Sequence, residues 1–230
     1  MVQAILFDVF GTVVDWRSSI IAELTAWGRE RAAEGHTGGD VDWAAFADAW
    51  RAAYRPSMDR VRSGARGWAT IDQLHRQSLN DLLAGHGLHR VYEAERQRLT
   101  TAWHRLAPWP DVVPGLVRLK RHYVIGTLSN GNVSLLVHLA RHGGLPWDVI
   151  LSAELFRHYK PDPELYLGAC SLLGYLPGDV MLAAAHTDDL RAARGVGMQT
   201  VFIPRPTESP DQVWDVMVDD VEALANRLGV

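Results

Sequence analysis

A single cysteine, Cys170, stands in the whole chain, which excludes an internal disulfide framework and fits a reducing compartment. It lies in the apolar, helix-like stretch Tyr166–Leu173, the setting of a buried structural thiol rather than of a nucleophile. No apolar run approaches the roughly 18 residues of a membrane span. Positive charge is not in excess: 23 Lys and Arg against 27 Asp and Glu leave a formal charge of -4, so there is no electrostatic footprint for nucleic acid. The densest basic run, Arg51 to Arg66, reads as a solvated helix face or a small-anion site, not as a polyanion site. Met1 to Phe10 has no basic n-region, and Asp8 interrupts its apolar run, so no secretory signal is read there and a cytoplasmic location is expected. The histidines show no pairing at metal-ligand spacing, and no internal repeat or low-complexity segment is visible. What is present is the composition of an ordinary soluble protein, 47% hydrophobic and 22% charged, at a length that suits one α/β core carrying an insertion or two small domains.

Five short apolar, β-branched runs read as buried strands: Ala4–Phe7, Tyr123–Leu128, Val149–Leu151, Val180–Ala184 and Thr200–Ile203. Helix-like segments Val133–His142, Pro163–Leu173 and Leu190–Val196 lie between the last four, with Pro163 suited to a first turn and Gly143-Gly144, Gly174 and Gly197 to helix ends. Strand, helix, strand in repetition predicts an α/β fold, a Rossmann-like doubly wound parallel sheet with helices on both faces. Residues 8–122 part the first strand from the second, far too many for one crossover, so a separate unit must be inserted there. Within it run four helical patterns: Ser18–Ala33, Asp42–Ser63, Ile71–Ala84 and Tyr92–His104. Asp42 and Thr70 suit N-caps, and Gly35, Gly64 and Gly87 suit helix stops. The expectation is a catalytic core of residues 1–15 and 104–230 with an all-helical cap domain over 16–103. Trp27, Trp43, Trp50 and Trp68 are expected mostly in the cap's own core.

In an open parallel sheet, ligands bind beyond the carboxyl ends of the strands. The first strand runs into Asp8-Val9-Phe10-Gly11-Thr12, and the second into Ser129-Asn130-Gly131-Asn132. Tyr159-Lys160-Pro161-Asp162 follows the third, and His186-Thr187-Asp188-Asp189 the fourth. Chance would place one polar group at a strand end; four in register make a site.

These four segments, in this order and spacing, resemble the four motifs of the haloacid dehalogenase superfamily, and the resemblance spans the whole chain. Most of that superfamily are phosphatases, which need a second aspartate two residues after the nucleophile and acidic ligands for Mg²⁺, one of them four residues before the last aspartate. Here Phe10 and Ala185 stand at those places. Phe10 exchanges no proton, and a hard cation needs oxygen ligands, so a phosphatase reading is disfavoured. The chain is similar instead to the L-2-haloacid dehalogenase branch, whose Trp-Arg pair on a cap helix matches Trp50-Arg51 and whose site tyrosine matches Tyr166.

The resemblance implies a metal-independent hydrolase, without cofactor, acting on a small 2-haloacid. Asp8 is the nucleophile that displaces halide and forms an ester, and Lys160 keeps it ionised. Arg51, with Asn130, binds the departing halide. Thr12 and Ser129 hydrogen-bond a carboxylate oxygen of Asp8 or of the substrate. Asp189 positions or deprotonates the hydrolytic water, a role compatible with capping the helix that follows. Asp188 is expected to point away. In the best-known pattern a serine and an asparagine occupy the places of Ala184 and His186, and His186 is read here as a donor toward Asp8, substrate or water. Phe10, Tyr166, Trp16 and Tyr54 are candidate pocket walls, as Arg55 and Arg60 are candidates for plain solvated arginines. A Mg²⁺-dependent phosphatase, a hydrolase of another small electrophile and a non-catalytic binding module stay open as alternatives. Fluoroacetate as a substrate and a homodimer through the cap are also open.

Overall fold

The computed structural model describes residues 1–36, 38, 40–206 and 208–230. The chain begins with β1 (Ala4–Phe7) and β2 (Val14–Asp15), then runs through α1 (Trp16–Ala33), α2 (Trp43–Ala52), α3 (Tyr54–Arg62), α4 (Ile71–Gly85) and α5 (Glu93–Thr100). A 3-10 turn, Thr101–His104, leads to β3 (Ala107–Pro108), α6 (Val112–Leu119), β4 (Val124–Ser129), α7 (Val133–Gly143), β5 (Val149–Ser152), α8 (Ala153–Phe156) and α9 (Pro163–Leu173). The last elements are β6 (Val180–Ala184), α10 (Thr187–Gly195), β7 (Gln199–Phe202), β8 (Val216–Met217) and α11 (Val221–Leu228). No described helix is long and apolar enough to cross a membrane.

Two compact units result. One is Met1–Asp15 with Ala107–Val230; the other is Trp16–Leu106. The second junction thus lies at Leu106, a little beyond the residue 103 expected from sequence, because the 3-10 turn buries Trp103 and His104 in the helical unit before the chain leaves it.

The core unit is a six-stranded sheet in the order β5-β4-β1-β6-β7-β8, parallel throughout. Helix crossovers leave parallel strands buried on both faces, which is why they read as unbroken apolar runs. Ile5, Leu6, Ile125, Leu128 and Leu182 are all fully buried. The chain builds outward from β1 through β4 to β5, then returns to β1's other side with β6. That reversal is a topological switch point, and it opens a crevice at the carboxyl end of β1. Register sets what meets there: Phe7 pairs with Thr127 of β4 and Ala183 of β6, so the residues after all three strands share one edge.

The sequence did not yield α6, because Pro114 and Gly115 resemble breakers. Pro114 falls in the first turn, where its missing N–H costs nothing, and Gly115 lets α11 approach, since a Cβ there would meet Val221 at 2.7 Å. The short β8, and the pair β2–β3, antiparallel over two residues each, also carry too little pattern to read.

The helical unit packs around Ile20, Leu24, Trp27, Phe46, Trp50, Leu79 and Trp103, each at most 1% exposed. Trp27 and Trp50 bury their rings while their indole N–H groups donate to Glu95 and to the His75 carbonyl. Trp68 is only half-buried. The expected single helix Asp42–Ser63 is in fact α2 and α3, parted at Ala53. Pro56 explains the break: it has no N–H for the Ala52 carbonyl, and its ring crowds the turn before it. Asp42 caps α2 through Ala44 and Ala45, and Thr70 forms a capping box with Gln73 on α4.

Candidate active site

Asp8 is the first residue past β1, and its backbone N–H still donates to the Ala183 carbonyl at 3.0 Å, so sheet register fixes where its carboxylate starts. The side chain is nearly buried. Thr12 Oγ1 donates to Oδ2 at 2.8 Å, and Lys160 Nζ to Oδ1 at 3.2 Å. The Thr12 hydroxyl itself accepts the Ala185 N–H at 2.9 Å, which fixes the direction of its proton. The turn between Asp8 and Thr12 passes through Gly11 at φ 92°, a conformation that L side chains rarely adopt. The carbonyls of Gly11 and Thr12 are held from outside by Trp109 Nε1 at 3.0 Å and Arg205 Nε at 2.9 Å. Arg205 is fixed in turn by a two-pronged pair with Asp111, at 2.8 and 2.9 Å. Sequence reasoning missed Trp109, Asp111 and Arg205, since they belong to no motif and reach the site only through tertiary contacts.

Lys160 is shared. Its ammonium donates to Asp189 as well as to Asp8, and its own backbone N–H is anchored on Asn130 Oδ1 at 2.8 Å. Asn130 was expected as a halide donor; its oxygen accepts the Lys160 N–H, which orients the amide and leaves Nδ2 as its donor. The other oxygen of Asp189 accepts the Tyr166 hydroxyl at 2.6 Å. Burial alone would raise the Asp8 carboxyl, but the Lys160 and His186 charges and the Thr12 hydroxyl outweigh it and hold Asp8 below the ordinary carboxylate range. Asp189 moves the other way: its burial, joined by the like charge of Asp8, outweighs Lys160 and Tyr166 and raises it. Burial works against the Lys160 charge, yet Asp189 and Asp8 overturn this and raise it further. The Tyr166 phenol is pushed far up by burial and by Asp189, and stays a donor. One ammonium between an ionised carboxylate and a more basic one is an arrangement for separate nucleophile and base roles.

Helix α10 starts at Thr187, two residues before Asp189, and its N-cap position is His186 without a side-chain cap. Asp189 therefore does not cap that helix; it lies in the first turn. His186 was expected to donate toward Asp8, substrate or water, and of these Asp8 lies beyond hydrogen-bond distance. Its Nε2 is 2.9 Å from the Phe10 carbonyl oxygen and 3.7 Å from Asp8 Oδ2, and its Nδ1 is 3.1 Å from Glu208 Oε1. Ser129 was expected at a carboxylate oxygen of Asp8 or of the substrate; its Oγ accepts the Gly131 N–H at 3.2 Å, turning the chain after β4, and its hydroxyl proton is still to give. Phe10 is 3% exposed, its ring edge against Gly131, where an added Cβ would lie 3.1 Å away. Asp188 is exposed and paired with Arg191.

Arg51 belongs to the helical unit. Its guanidinium carbon lies 4.4 Å from the Tyr54 ring centroid and 5.4 Å from that of Trp16. Nη1 is buried without a hydrogen bond among the described residues.

The core residues do not fit a divalent ion. Phe10 and Ala185 offer no acidic oxygen, and the Lys160 ammonium bridges the two remaining carboxylates. Among the described residues no group of three His, Cys, Asp or Glu side chains is placed to hold a metal.

A family model described as haloacid dehalogenase-like hydrolase matches residues 2–197. The (S)-2-haloacid dehalogenase 4A of Burkholderia cepacia is 28% identical over 231 residues, covering 97% of this chain and 92% of that protein. Among solved structures, the L-2-haloacid dehalogenase PA0810 has a TM-score of 0.93 and 48% identity, covering 100% of both chains. The defluorinating L-2-haloacid dehalogenase Rha0230 has a TM-score of 0.93 and 46% identity, covering 100% of this chain and 96% of that one.

Proposed function

The chain belongs to the haloacid dehalogenase-like hydrolases, and from that premise we propose that it removes the halide from C2 of short 2-haloalkanoic acids by direct attack of Asp8. The observation that carries this reading is the state of Asp8: a buried carboxylate held ionised by Lys160 and Thr12, with Phe10 where a phosphatase of this fold keeps its proton donor.

In the first step an Asp8 oxygen attacks C2, the C–halogen bond breaks and halide leaves with the electron pair, inverting that carbon and forming an ester. Splitting one hard displacement into two easier steps is the gain from covalent catalysis. Lys160 keeps the nucleophile anionic and, once Asp8 is esterified, still balances Asp189. Water then attacks the carbonyl carbon of the ester. Asp189, made more basic by burial and oriented by Tyr166, takes the water's proton and returns it to the departing alkoxide. The 2-hydroxyacid leaves, and Asp8 is regenerated.

The resemblance assigns the departing halide to Arg51 and the Asn130 amide. What supports Arg51 is a guanidinium fixed by two aromatic faces and a buried, unbonded Nη1; donors set in place before charge develops stabilise a transition state most. Haloacetates, fluoroacetate among them, belong to the proposed range, because a relative described as defluorinating shares 46% of its residues with this chain.

The test is a halide-release screen over fluoro-, chloro- and bromoacetate and both 2-chloropropionate enantiomers, with and without EDTA. Halide release from at least one, indifferent to EDTA, supports the reading. Silence on all of them, with Mg²⁺-dependent cleavage of p-nitrophenyl phosphate, overturns it.

A further inference from the structure

Glu208 lies in none of the four motifs, on the irregular segment between β7 and β8, yet it reaches the nucleophile through one intervening ring. A backbone carbonyl can only accept, so the 2.9 Å contact to Phe10 O places a proton on His186 Nε2. The opposite nitrogen faces Glu208 Oε1 at 3.1 Å, and an ionised carboxylate likewise only accepts. Both ring nitrogens therefore donate, and the ring between them is a cation. Its Nε2 is 3.7 Å from Asp8 Oδ2, while Lys160 serves Asp8 Oδ1. The two carboxylate oxygens of the nucleophile are thus flanked by different positive groups, one on each side.

We propose that Glu208 is a positioning residue of the dehalogenation reaction, which fixes His186 as an imidazolium beside Asp8 by accepting its Nδ1 proton. The proposal rests on the function argued above. Its reason is the charge already present in the core unit: Asp8 and Asp189 share one ammonium, so an incoming 2-haloacid carboxylate brings a further negative charge beside two carboxylates with one cation between them. A second cation offsets it. When Asp8 becomes an ester its charge disappears, and the imidazolium then serves the remaining anions.

Burial works against a charged His186, and the Glu208 hydrogen bond, the Asp8 charge and the Phe10 carbonyl together overturn it, raising the ring to about 9. The charged groups that act on the ring are Glu208 from the segment after β7 and Asp8 from the turn after β1; Lys160, which also holds Asp189, stands on the far oxygen of Asp8. Arg205, three residues before Glu208, is paired with Asp111.

The experiment is an NMR titration of the His186 ring in the full-length protein and in Glu208→Gln and Glu208→Asp, with kcat and KM for a 2-haloacid measured over the same pH range. The wild-type ring should stay protonated through neutral pH. Glu208→Gln should lower its midpoint by about one pH unit or more, move the alkaline fall of kcat/KM down by the same amount, and raise KM several-fold. Glu208→Asp should restore most of each. An unchanged midpoint and pH profile in Glu208→Gln would overturn the proposal, as would a wild-type ring that is already neutral at pH 7. If no 2-haloacid is turned over, the function reading fails instead, and the ring titration still decides whether Glu208 sets the state of His186.

Discussion

Tyr166 Oη donates to Asp189 Oδ1 at 2.6 Å, on a carboxylate whose other oxygen takes the Lys160 ammonium. The phenol holds Asp189 in one orientation without neutralising it. Removing the hydroxyl should therefore weaken the water-activating step more than the displacement. Tyr166→Phe is expected to form the ester nearly as fast but hydrolyse it roughly tenfold more slowly or worse. Rapid-mix halide assays should show a stoichiometric burst followed by a slow phase; equal slowing of both phases would contradict the assignment.

Lys160 is the counter-charge for two buried carboxylates. Lys160→Met should destabilise the core unit by about 3–5 kcal/mol, because it leaves buried charge without a partner, and should abolish detectable turnover. The pH sign follows from the shifts. Asp8 lies below its ordinary value near 3.8, so its contribution is present above that value and lost as pH falls through the lower folded one. Lys160 lies above 10.5, so its contribution is present below that value and lost as pH rises past the folded one. Chemical denaturation from pH 7 downward should show a smaller acid loss attributable to Asp8 in the variant than in the wild type.

His75 offers a pH test confined to the helical unit. It is 1% exposed, stacked on Trp103 at 4.2 Å, and neither ring nitrogen has a hydrogen bond among the described residues. Burial, joined by the Arg51 charge, pushes it down to about 3 from 6.5. Between those values the unfolded chain binds a proton that the folded one does not, so stability falls with pH from 6.5 downward. His75→Phe keeps the stack and removes the proton. Urea unfolding at pH 6.5 and 5.5 should show the wild type losing about 1 kcal/mol more than the variant over that unit; parallel losses would refute the neutral imidazole.

Added Mg²⁺ should not raise activity, and chelators should leave it unchanged, because Lys160 bridges the carboxylates that a metal would need. A steady-state assay after exhaustive EDTA dialysis checks this. Activity that disappears with EDTA and returns with Mg²⁺ would mean that the ammonium is displaced.

The fold was legible where burial is complete. A parallel strand covered on both faces can carry little but apolar residues, so β1, β4, β5, β6 and β7 were found within a residue or so of their ends. The break at Ala53 was not, because apolar periodicity runs through it and only Pro56 marks it. At the site, the residues directly after β1, β4 and β6 were readable because strand ends converge by topology. The contacts beyond them were not. Glu208 and Arg205 approach from irregular chain with no periodicity, and the bond from the Gly131 N–H to Ser129 Oγ belongs to a turn that no motif spells out.

The covalent role of Asp8 is most directly tested by single-turnover reaction with excess enzyme in water enriched in heavy oxygen, followed by mass analysis of the peptide containing Asp8. Attack of water on the ester carbonyl leaves the label in the Asp8 carboxylate, and Asp8→Asn forms no such ester and turns over slower by roughly 10⁴-fold or more. Label found only in the released hydroxyacid, with the Asp8 peptide unchanged, would mean that water attacks the substrate carbon directly and that Asp8 is not the nucleophile.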